Sequence, residues 1–127
     1  YIMLLTLPVL LLAGNLFGQS GEVASRPEGK QELVYDYAGF FTGPEKKELN
    51  QILENFAIET SNQILVLTVK SLNGLEPYAY AERVLSTWGI GQKKLNNGVV
   101  VLIKPKTPDS MGQIFISSGY GLEGAIP

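Results

Sequence analysis

The sequence predicts an α/β fold: an α/β/α sandwich whose mixed, mainly parallel sheet is closed by an antiparallel hairpin strand. Three observations predict it. Two short runs, QILVLTVK at residues 63–70 and VVVLI at residues 99–103, are apolar almost without a break, as in strands covered on both faces. Each run follows a stretch with apolar residues at helical spacing. After the second run, a polar turn at residues 105–112 leads to QIFIS at residues 113–117. That loop is too short for a crossover, so the last strand returns antiparallel.

Residues 1–20 come first, and no charge occurs before Glu22. The apolar run at residues 2–13 is interrupted only by Thr6 and Pro8. It is shorter than the roughly 20 residues that span a bilayer and has the length of a signal-peptide core. Gly18 and Ser20 are small residues in the right places for cleavage before Gly21. Residues 1–20 therefore read as an export signal. A buried N-terminal helix is the alternative, and Pro8 and Gly14 count against it. Residues 21–31 are rich in Gly, Ser, Pro and Glu and read as a flexible lead-in.

The domain is expected over residues 32–127. A short extended segment at residues 33–35 ends at Asp36. Thr42, Pro44 and Glu45 then form a capping-box signal with proline in the first turn. Leu49, Ile52, Leu53, Phe56 and Ala57 make one apolar face, which predicts a helix over Gly43–Thr60. The first apolar run follows. Glu76 and Pro77 open a second helix, with Tyr78, Ala81, Val84, Leu85 and Trp88 at helical spacing and Gly89 at the C-terminal cap. A loop at residues 90–98 feeds the second run, which Asn97-Gly98 bounds as a strand and not a buried helix. The strand–helix–strand units are expected to be right-handed parallel crossovers.

Composition narrows the chemistry. The chain has 127 residues, net charge −2, and neither cysteine nor histidine. Thiolate nucleophiles, Ser-His triads and the usual zinc ligands are excluded. Oxygen ligands remain, and these suit calcium or magnesium. No basic run interleaves with aromatics, so nucleic acid is not expected as a partner. Residues 119–124 follow neither GxGxxG nor a P-loop, so no nucleotide cofactor is expected.

The predicted topology brings Trp88, Asn96, Asn97, Tyr120 and Glu123 to one rim of the sheet. Asp36 joins them only if its segment is irregular or antiparallel; as a parallel strand it would leave at the opposite rim. Each residue has a plainer reading. Asp36 could bond the amides of its own turn, Asn96-Asn97-Gly98 could be a turn alone, and Trp88 could be core.

The motifs VYDYAGFFTGPE, LENFAIET, QILVLTV, YAERVLSTWGIGQKKLNNGVVVLI and GYGLEG occur in that order between about Val34 and Ala125. In this the chain resembles the TPM domain family, which takes in thylakoid-lumen acid-phosphatase-like proteins, photosystem II repair factors and exported bacterial proteins. The resemblance implies an α/β/α sandwich in a periplasm, a lumen or outside the cell, often beside a membrane. It implies phosphatase activity in some members and a divalent metal, chiefly calcium, in some. By matching motif, Asp36, Asn96, Asn97 and Glu123 take candidate site roles, with Trp88 and Tyr120 beside them. Family members continue past G-L-E-G, so the chain reads as a C-terminally truncated domain.

Two functions are then expected in competition. In one, Asp36 and Glu123 hold calcium or magnesium and serve phosphate-ester hydrolysis, with Lys93 and Lys94 near the phosphate. In the other, the metal is structural and the domain binds a protein partner at a membrane without turnover.

Overall fold

Among the described residues, the alternating apolar and helical segments build four strands and two helices. A computed structural model describes residues 21–91 and 97–119 of the chain. The order is β1 (Val34–Asp36), α1 (Gly43–Thr60), β2 (Gln63–Thr68), α2 (Pro77–Thr87), β3 (Gly98–Lys104) and β4 (Gln113–Ser118). The sheet order is β1-β2-β3-β4. β1, β2 and β3 are parallel and β4 is antiparallel to β3. The two continuous apolar runs, β2 and β3, are the central strands, as their composition requires.

α1 spans the predicted residues. Thr42 Oγ1 accepts from Glu45 N (3.2 Å) and Glu45 Oε1 accepts from Thr42 N (2.8 Å), so two orphan donors are satisfied reciprocally. Ser61 ends the helix in the left-handed region, at φ 65°. In α2 the buried stripe is Tyr80, Ala81 and Val84. The predicted Tyr78 is instead 55% exposed, and Tyr80 is buried. Tyr80 can go inside because its hydroxyl finds a partner there, the amide of Ala24 at 3.0 Å. Gly89 takes the predicted cap position with φ 65°.

Successive strand residues face opposite sides of the sheet, and the two faces have separate cores. One holds Leu65, Leu67, Val100 and Leu102 under Tyr80, Ala81 and Val84 of α2. The other holds Val34, Val66 and Ile103 with Leu53 of α1. The helices therefore lie on opposite faces. This corrects the expectation for the crossovers. Strand order advances one way from β1 to β3, and two right-handed crossovers stepping the same way put both helices on one face. One of the two is left-handed. Both faces of β2 and β3 are apolar, so each face needs a cover, and there is one helix for each.

Residues 21–26, expected as part of a flexible lead-in, run as a strap on the α2 face. Val23 and Ala24 pack against the core there. No helix among the described residues is long and apolar enough to cross a membrane.

Candidate functional site

The sequence places carboxylate, hydroxyl and amide groups at strand ends, so the two rims of the sheet are where chemistry would be built. At the C-terminal rim, β1 ends on Asp36, which sits in register with Thr68 of the parallel β2. Thr68 Oγ1 donates to Asp36 Oδ1 (2.5 Å), and the amides of Phe40 and Phe41 donate to Oδ1 (2.7 Å) and Oδ2 (2.8 Å). Thr68 Oγ1 also accepts from Ala38 N (3.0 Å). Gly39 allows the chain to double back, with φ 66°. The Asp-x-Ala-Gly element is thus a turn, and its aspartate gathers the two amides that follow it.

Burial alone would raise the Asp36 pKa. The Thr68 hydroxyl, the Phe41 and Phe40 amides and the charge of Lys46 together outweigh that and hold it below the ordinary carboxylate value of 3.8. Asp36 is an ionised acceptor held in one orientation.

At the opposite rim, Asn97 is buried, with 4% exposure. Its Nδ2 donates to Ser61 O, tying the end of α1 to the loop before β3. Its backbone carbonyl accepts from Gln63 N (3.2 Å). Gln63 Oε1 in turn accepts from Gly91 N (2.7 Å). The backbone here is too tight for side chains: a Cβ on Gly98 would collide with Ile90 O, and one on Gly91 with Gly98 N. Gly119 N donates to Gly98 O (3.0 Å), so the end of β4 does arrive at this rim as the topology predicts.

Asp36 and Asn97 do not meet. β1 is parallel to β2, and Asp36 is level with Thr68 while Gln63, five residues earlier, is level with Gly98. At about 3.3 Å per residue the two rims stand about 17 Å apart. Any site that includes Asn97 therefore leaves Asp36 out. Asn96, Tyr120 and Glu123, together with Lys93 and Lys94, lie outside the described residues.

Trp88 is a core residue, 8% exposed. It meets Tyr35 edge to face, with centroids 5.1 Å apart, and its Nε1 donates to Ala24 O (2.8 Å). Arg26 stands 5.7 Å from the centroids of both rings. Sequence reading missed Arg26, Gln63 and Thr68. Thr68 closes an apolar run and looks like strand filler; only the parallel pairing brings it to Asp36. No group of three or more His, Cys, Asp or Glu residues able to hold a metal occurs among the described residues.

A family model described as the TPM domain, TPM_phosphatase, matches residues 34–127. Solved structures with the same architecture include the N-terminal domain of a protein from P. gingivalis, at 25% identity and TM-score 0.62, covering 72% of this chain and 56% of that one. The N-terminal domain of the cg2496 protein from Corynebacterium glutamicum is similar at 22% identity and TM-score 0.61, covering 80% of this chain and 63% of that one. The match thus spans less than two thirds of either relative's length. No curated protein matches the chain.

Proposed function

The chain belongs to the TPM domain family, and on that premise we propose that it is an exported, non-catalytic domain of the cell envelope that binds a partner protein. The observation that carries this reading is the apolar face that β4 leaves exposed among the described residues. Ile114 and Ile116 point to the same side and are 71% and 50% exposed. Phe40 and Ile114 line one groove with the stems of Lys104 and Lys106. Apolar side chains grouped in this way mark interaction surfaces. Two of the described site candidates fit the same reading, since Asp36 and Asn97 both hold backbone in place. Export is supported by the apolar run at residues 2–13 and the small residues Gly18 and Ser20. Calcium or magnesium would be structural.

A second reading, a divalent-metal-dependent phosphatase acting on phosphate esters, is favoured by the name of the matching family model. Asp36 and Glu123 would be its metal ligands. A bound divalent ion supplies charge neutralisation of phosphate. The described residues do not make up such a shell: calcium takes six to eight oxygens, and Asp36 already accepts three hydrogen bonds.

One experiment separates the readings. Purified protein is assayed for phosphate release from a model ester with calcium or magnesium, and its melting temperature is followed alongside. The binding reading expects a rise in melting temperature with metal and no release. Release that disappears in Glu123→Gln would establish the phosphatase instead.

A further inference from the structure

On its face of the sheet α2 packs on β3 and β4, which leaves Tyr35 of β1 without a helix above it. The strap of residues 21–26 takes that place. Its backbone is held at both ends and in the middle. Gly21 N donates to Asn73 O (3.2 Å) and Asn73 Nδ2 donates to Glu22 O (2.8 Å). Arg83 reaches Gly21 O (2.5 Å). Ala24 gives its N–H to the Tyr80 hydroxyl (3.0 Å) and its carbonyl to Trp88 Nε1 (2.8 Å).

Arg26 finishes the strap. Its guanidinium donates to Tyr35 Oη (3.4 Å), Trp88 O (3.2 Å) and Glu32 O (3.0 Å) while lying against both aromatic rings. Each of its three nitrogens serves a separate acceptor, a spread that the single nitrogen of an ammonium cannot reproduce. None of these bonds belongs to the β ladder. A cavity of about 450 Å³ adjoins the strap, lined in part by Ser25, Arg26, Arg83 and Thr87. The strap can therefore leave without breaking a strand pair, taking Val23 and Ala24 off the edge of the core.

We propose that residues 21–26 are a latch: a part of the domain lying ahead of the family's matched region, pinned by Arg26, that opens as a unit of its own and then uncovers Tyr35, Tyr80 and Trp88. A segment held outside the β ladder is the kind of local unit that opens below the global unfolding free energy.

The test is native-state hydrogen exchange on the intact chain, with fluorescence of Trp88, its single tryptophan. In the unmodified protein the Ala24 amide is expected to exchange at least about tenfold faster than the ladder amides of β2 and β3. In Arg26→Ala the Ala24 amide should speed up further and acrylamide should quench Trp88 more strongly, with ladder protection kept. Arg26→Lys should fall between. Ala24 exchanging together with the ladder in the unmodified chain would overturn the latch. So would an Arg26→Ala variant with unchanged Ala24 exchange and quenching, or one that loses ladder protection as well, since Arg26 would then belong to the core.

Discussion

Asp36 shows how one carboxylate can organise a turn. Its two oxygens collect the amides of Phe40 and Phe41 and the hydroxyl of Thr68, and hydrogen bonds to an ionised acceptor are stronger than neutral ones. The folded pKa lies below the ordinary 3.8. A lowered carboxylate pKa contributes stability that is complete above the unfolded value and is lost as pH falls through the folded one. Asp36→Asn should therefore cost about 1–2 kcal/mol at neutral pH. The gap in melting temperature from the unmodified chain should close once the pH is taken below the ordinary carboxylate range. A gap that stays constant down to the lowest pH would show that the turn does not use the charge. The role of Asp36 as a turn-former was one of two readings open from the residues. Its partner Thr68 could not be chosen, because that contact joins residues 32 positions apart.

Among the elements, α1 was the most legible. Its cap, its proline and its apolar stripe are all local signals, and its predicted ends coincide with the observed Gly43–Thr60. How it is anchored was less visible. Of the five stripe residues, Leu53 alone is fully buried, while Ile52 is 55% exposed. Leu53→Ala is expected to cost about 2–4 kcal/mol by urea denaturation. Ile58→Ala, at a position 82% exposed, should stay within about 0.5 kcal/mol. Equal effects at the two positions would mean that α1 is seated differently. In α2 the helical spacing pointed to Tyr78 at its start. The hydroxyl's need for a buried partner decided for Tyr80 over Tyr78, and that partner comes from the strap.

For the molecule as a whole, the two edges of the sheet that the described residues form differ. β1 has three residues, whereas β4 has six with neither charge nor proline among them. Such an edge favours pairing with another chain. Ile116→Lys should reduce concentration-dependent association in light scattering, with little loss of melting temperature, because the side chain is half exposed. Unchanged association would move the contact elsewhere.

From its residues alone the chain established strand and helix identities, the central places of β2 and β3, the start of α1 and the family motifs. All of these rest on periodicities and turn chemistry that act within a few residues. Tertiary structure decided the rest: β1 runs parallel to β2 and carries Asp36 away from Asn97, one crossover is left-handed, and Arg26 closes a strap over Trp88. Those outcomes depend on which distant surfaces must cover one another and on which buried donors and acceptors find partners, and no local pattern encodes either.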